Sequence, residues 1–204
     1  PQDVIWLCDY WKKNGQMGRL SQLIEYNIEQ KLRETNTKWL GSDKLSHEEA
    51  WTGSEMLATA ATFCRKSFFI LPDQPIAPER AVTSISPQDI LPHLNSEKIT
   101  SLLDRAVFDD ATYGRVRFHH RSVVEYLTAR WVKKLLSGGC PLSRILNLLF
   151  QQQDGETVSI PSREPVTAWL SAMSEDICRM TETTAPEILI QHGDPQQLPL
   201  ETRS

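Results

Sequence analysis

Within RVRFHHRSVVEYLTARW, residues 115–131, the hydrophobic period changes from that of a strand to that of a helix across two adjacent histidines. In an extended RVRFHH, Val116, Phe118 and His120 share one face, and Arg115, Arg117 and His119 share the other. The apolar pair marks the inner face, so His120 is expected to point inward and His119 outward. Past the corner, Val123, Val124, Leu127, Trp131 and Leu135 recur at helical spacing. Ser122 with Glu125 reads as a capping box for that helix, which gives Glu125 a structural task. The preceding AVFDDATYG completes a β-hairpin with a turn around Ala111 to Gly114. A hairpin running straight into a helix restricts the chain to few arrangements.

The segments before the hairpin are mostly helical. PQDVIWLCDYWKK places Val4, Leu7, Cys8 and Trp11 on one face. RLSQLIEYNIEQKLRE aligns Leu20, Leu23, Ile24, Ile28 and Leu32. TNTKWLGSD reads as a linker, and Ser46 with Glu49 predicts a capping box at the start of a third helix. In that helix Ala50, Gly53, Leu57, Ala60 and Ala61 form a surface that lets a neighbour approach closely. SFFIL is strand-like. The four prolines between Pro72 and Pro87 predict an irregular loop. SPQDILPHL gives a helical turn, and SEKITSLLDRA gives a helix with Ile99, Leu102 and Leu103 inward.

Helix, helix and hairpin in that order is the arrangement of a winged-helix domain, with the hairpin as the wing. From SVVEYL onward the pattern is helical. PLSRILNLLF, PVTAWLSAM, EDICRMTE and APEILIQ are separated by QQQDGETVSIPSRE, TTAP and HGDPQQLP, the last with a turn at 192–195. The expected fold is mainly α: a helical segment over 1–42, a winged-helix domain over 43–121, and short helices over 122–204 that resemble the start of a helical-repeat region.

Charge excludes some functions. Lys and Arg number 22 against 26 Asp and Glu, a net charge of −4, which argues against nucleic acid or an anionic membrane as partner. No apolar run approaches a membrane span in length. Cys8, Cys64, Cys140 and Cys178 stand far apart, with no C-x-x-C pair. They are expected to be reduced and mostly buried, as in a cytoplasmic protein. The six tryptophans are expected to fill helix interfaces.

Chemistry is sparse as well. Adjacent histidines on a strand face opposite sides, so one ion cannot readily take both, and no metal site is expected. No Ser or Cys sits in a nucleophile elbow, and no catalytic residue is assigned. No phosphate loop of the form GxxxxGK[ST] occurs, so the segment by itself is expected neither to hydrolyse nucleotide nor to hold it strongly. Beginning at Pro1 and stopping at LETRS, the chain is expected to be part of a longer protein.

F-H-H-R-S-V-V-E-Y-L-T-A-R resembles the F-x-H-x-S-x-x-E-[YF]-x-A-A pattern of the STAND NTPases of NACHT type, among them NOD-like receptors and bacterial antiphage proteins. Phe118, His120, Ser122, Glu125, Tyr126, Leu127 and Ala129 match; Thr128 departs, where alanine is usual. P-Q-D-V-I-W-L-C-D-Y-W is similar to the helical segment after the NTPase core of that family. A-P-E-I-L-I-Q-H-G-D-P is similar to a stretch after its winged helix. The resemblance implies that His120 contacts the β-phosphate of bound ADP and holds a closed state. It also implies ATP or ADP with Mg in the full-length protein, an upstream P-loop domain, downstream sensor repeats, a protein trigger and oligomerisation on activation.

Two other readings compete. One is a winged-helix DNA-binding regulator, for which the only basic cluster is Arg115, Arg117 and Arg121; NSEKITSLLDRA balances Glu97 and Asp104 against Lys98 and Arg105. The other is a scaffold with no link to nucleotide.

Overall fold

The computed structural model describes residues 2–33, 45–72, 74–75, 77–198 and 202, apart from the side chains of Gln2, Asp3 and Trp6. The expected linker TNTKWLGSD, the expected boundary at 42/43 and Trp39 lie outside the described residues. The chain is mainly helical, with two small sheets among the described residues. It forms two compact units, 25–127 and 1–24 with 128–204, whose limits fall inside two helices.

In chain order the first elements are α1 (Gln2–Asn14), α2 (Leu20–Lys31), α3 (His47–Cys64), β1 (Phe68–Ile70), α4 (Pro78–Ala81), β2 (Ser84–Ile85), α5 (Pro87–Ile90), α6 (Ser96–Leu103), β3 (Phe108–Ala111) and β4 (Arg115–Phe118). Then come α7 (Arg121–Ser137), α8 (Leu142–Leu149), β5 (Phe150–Gln153), β6 (Glu156–Ser159), α9 (Glu164–Ser171), α10 (Glu175–Thr184) and α11 (Glu187–Gln191).

In the unit 25–127, α3 begins where its capping box predicts. Glu49 N donates to Ser46 Oγ at 3.1 Å, and Ser46 N donates to Glu49 Oε2 at 2.7 Å. Lys98 Nζ on α6 donates to Glu49 Oε1 at 2.8 Å, and this bond leads the effects that lower the carboxyl pKa. Gly53 lets α6 approach closely: a Cβ there would lie 2.7 Å from Leu102 Cδ2, so that side chain would have to shift. The sheet runs β2-β1-β4-β3, with β1 parallel to β2 and the other pairs antiparallel. Phe69, Phe108 and Phe118 meet on its inner face, their ring centroids 4.5–6.1 Å apart. That spacing suits edge-to-face attraction beyond simple area burial.

The stretch Pro72–Pro87 is more ordered than its prolines suggest, since it holds α4 and β2. Pro78 and Pro87 stand at the first positions of α4 and α5, where a missing N–H costs no hydrogen bond.

In the other unit, the stretch expected as a linker over 151–164 contains the β5–β6 hairpin. Asp154 and Gly155 have φ of 53° and 85°, the two-residue turn whose twist matches antiparallel strands. The buried Asp194 carboxylate ties distant segments. Its Oδ2 accepts from Ser21 N at 2.9 Å and Ser21 Oγ at 2.7 Å, and its Oδ1 accepts from Gln196 N at 3.2 Å. Ser21 lies in the first turn of α2, so Asp194 caps that helix from afar. Gly193 beside it has φ 70°, and a Cβ there would lie 3.0 Å from the Ala168 carbonyl carbon. The expected turn at HGDP thus also carries a capping carboxylate.

Several burial expectations are corrected. Cys178 is buried, but Cys8 and Cys64 are exposed and Cys140 is half-buried. Trp169 is buried, Trp51 and Trp131 are half-buried, and Trp11 is 55% exposed. Val4 and Ile5 of α1 and Leu20 of α2 are also exposed. On α7 the buried side chains are Val123, Tyr126, Leu127, Thr128, Ala129 and Val132, while Val124 and Trp131 are half-buried and Leu135 is exposed. Among the described residues no helix is long and apolar enough to cross a membrane.

Two substitutions test these contacts by urea unfolding. Ser46→Ala should cost about 1 kcal/mol, the usual loss on removing an N-cap. Asp194→Ala should cost about 2–3 kcal/mol, because it strands buried donors that now reach a carboxylate. A midpoint unchanged by Asp194→Ala would remove its role as a remote cap.

Candidate functional site: the histidine corner

The strand β4 ends at Phe118, and α7 begins at Arg121. The pleat that assigned His120 inward and His119 outward therefore stops before either histidine. Both imidazoles are half-buried, with ring centroids 6.2 Å apart. Each has a different backbone partner.

His119 is fixed to the residue before β3. Its backbone N–H donates to Val107 O at 3.1 Å, and its Nδ1 lies 3.0 Å from the same oxygen. A carbonyl only accepts, so Nδ1 carries the proton in this pairing. Burial pushes the His119 pKa down; Lys31 and His120 act in the same direction, while Val107 O and Asp109 oppose it. Lys31 on α2 donates its Nζ to Ala106 O at 3.2 Å, and burial lowers its pKa too. Adjacent carbonyls thus receive an ammonium and an imidazole from different elements.

His120 acts at the helix start. Ser122 N donates to His120 Nδ1 at 3.2 Å. With Arg121 as the first helical residue, His120 occupies the N-cap and Ser122 supplies the second amide of the helix. This corrects the expected Ser122 cap: the imidazole nitrogen accepts, and Ser122 lies inside the helix. The neighbouring Glu125 Oε1 accepts from Arg121 Nε at 2.7 Å, an i to i+4 pair on the first turn.

The arginines of the hairpin are engaged within the unit. Arg115 lies over the Phe68 ring at 4.3 Å and donates its Nε to Thr112 O at 3.2 Å. Arg117 stands opposite Asp109 in the β3–β4 register. The exposed Tyr113 at the tip lies under Arg80 at 3.3 Å.

Sequence reasoning missed Lys31 and Asp109 beside the corner, because neither lies in the motif. It also missed a cluster between α2 and α3. Glu29 Oε2 accepts from Trp51 Nε1 at 3.0 Å and lies 2.8 Å from His47 Nε2. Burial opposes ionisation of Glu29, but these two partners and Arg33 leave its pKa lowered overall. Trp51 therefore serves a polar contact as well as packing. Among the described residues no group of three or more His, Cys, Asp or Glu is placed to hold a metal ion. No protein-family model matches the chain, and no curated protein matches it.

His119 makes stability depend on pH. Folding disfavours its charged form, so the unfolded chain binds that proton more tightly. The stability this provides is complete above the ordinary value of 6.5 and is lost as pH falls through the lower folded value. His119→Asn keeps a donor for Val107 O and removes the titration. Urea midpoints of the native chain should fall more steeply between about pH 7.5 and 5.5 than those of the variant. Parallel slopes would contradict the assignment.

Proposed function

We propose that this chain is the regulatory part of a STAND NTPase of NACHT type, a winged-helix domain and following helices that couple nucleotide state to signalling or antiviral defence in a longer cytoplasmic protein. The observation that carries the reading is the division of labour within FHHRSVVEYLTAR. Phe118, Tyr126, Leu127, Thr128 and Ala129 are buried, whereas His120, Ser122 and Glu125 gather at the start of α7. Thr128 replaces the usual alanine at a fully buried position, where a small side chain fits. The order α5, α6, then β3–β4 agrees with a winged helix whose wing is the hairpin. The short helices after α7 agree with the start of a repeat region.

The cap bond gives His120 a chemistry suited to a diphosphate. Because Nδ1 accepts from Ser122 N, the neutral ring carries its proton on Nε2. That N–H is the donor a phosphate oxygen would take, at a helix start that favours anions. Loss of the contact on nucleotide exchange would release the closed arrangement, in which the upstream NTPase domain and the downstream repeats are the partners within the chain. ATP hydrolysis belongs to the upstream P-loop domain with its Mg, and oligomerisation follows activation. The chain itself is a binding and coupling element without catalytic residues of its own.

The alternative, a DNA-binding winged helix, has less support. Arg115 and Arg121 are engaged by partners in their own unit, Arg117 faces an aspartate, and α6 has no basic excess.

The test is ADP titration of the full-length protein and two variants. His120→Asn supplies a good N-cap oxygen but lacks the imidazole N–H, whereas His120→Ala lacks both. Both should weaken ADP about tenfold, the loss typical of a hydrogen bond to a charged group, while only His120→Ala lowers stability. Equal ADP affinity and basal activity in all three proteins would remove the sensor reading.

A further inference from the structure

The start of α10 opens on a cleft of about 860 Å³ in the unit 1–24 with 128–204. Its walls include Ser174, Glu175, Cys178, Glu182, Gln197 and Thr202. Ser174 is the N-cap residue of α10. Serine at this position ordinarily turns its hydroxyl onto the first amides of the helix. Here it makes no such bond, although the residue is only 9% exposed. The cleft is therefore lined by Ser174, whose hydroxyl caps nothing, and by Glu175, whose amide opens a ten-residue helix; hydroxyl and amide both suit an anionic oxygen. Of the two acids in that turn, Glu175 is paired with Arg179, and Asp176 is not among the residues that line the cleft.

The far end has the opposite character. Cys178 and Glu182 share the cleft-facing side of α10 at i to i+4 spacing. Burial pushes the Cys178 thiol pKa up, so the thiol stays protonated; its Sγ donates to Glu182 Oε1 at 3.8 Å and lies 3.8 Å from Thr202 Oγ1. The thiol thus holds a half-buried carboxylate that suits a cation. Eight helical positions from Ser174 to Glu182 span about 12 Å, and helical side chains lean back toward the N-terminus, which shortens the gap between the groups.

We propose that this cleft binds a small zwitterion of dipeptide size, with its carboxylate on the Ser174 hydroxyl and the first amide of α10 and its ammonium on the Glu182 carboxylate. The site is independent of the histidine corner and of the nucleotide reading. The mix of donors at one end and a carboxylate at the other disfavours a simple anion or a purely apolar ligand. A cleft of this size also leaves room for side chains on the ligand.

The experiment titrates L-alanyl-L-alanine into the 204-residue chain, with amide NMR and calorimetry as readouts. Saturable binding with a Kd of about 1 mM or tighter is expected, with shifts at residues 174–178 and 182. N-acetylation of the dipeptide and Glu182→Gln should each weaken it at least about fivefold, as should C-terminal amidation and Ser174→Ala. The modified dipeptides probe the native chain, so the result stands even if a variant folds poorly. Absence of saturation, shifts confined to other residues, or equal affinity for all three ligands would overturn the proposal.

Discussion

The corner between β4 and α7 rests on the Val107 carbonyl. It receives the backbone N–H and the imidazole of His119, and so joins the end of one strand to the residue before its partner. The neighbouring Ala106 carbonyl receives Lys31 from α2. Arg105, one residue earlier, sends its guanidinium to Leu32 O at 2.9 Å. Three successive residues thus connect α2 to the hairpin, through contacts that are buried at Arg105, half-buried at Val107 and exposed at Ala106. At the buried end a lost partner costs more than its hydrogen bond is worth in water, because the remaining group stays desolvated.

The two histidines answer to opposite requirements. His119 needs a proton on Nδ1 to reach a carbonyl, while His120 needs a bare Nδ1 to receive an amide. One neutral corner therefore holds two different tautomers side by side. The start of α7 thus depends on the bare Nδ1 of His120 whether or not a nucleotide is involved.

Much of the fold was legible where local chemistry decides conformation. The capping box of α3, the close approach at Gly53 and the hairpin before the histidines depend on neighbours in sequence or on one side-chain volume. The β5–β6 hairpin was less visible because QQQ and ETVS lack an apolar alternation, although Asp154-Gly155 was the available signal. β2 was hidden because only a tertiary neighbour, β1, makes two residues a strand. At the corner, Phe118 and the start of a helix were predictable to within a residue. The cap was assigned to Ser122 because a serine followed by a glutamate three positions later is the usual pattern, while an imidazole acceptor leaves no such pattern. Lys31 could not be read at all, since its place depends on a carbonyl far along the chain.

The aromatic triangle of Phe69, Phe108 and Phe118 also bears on how this sheet assembles. Phe108 and Phe118 meet across a local hairpin, which needs only a short loop to close. Phe69 arrives from β1 through a loop running from position 69 to its pairing at position 116, with α5 and α6 inside it. Closing such a loop carries a larger entropic barrier and raises contact order. The third ring is therefore the late arrival, joining after the two rings of the hairpin have met.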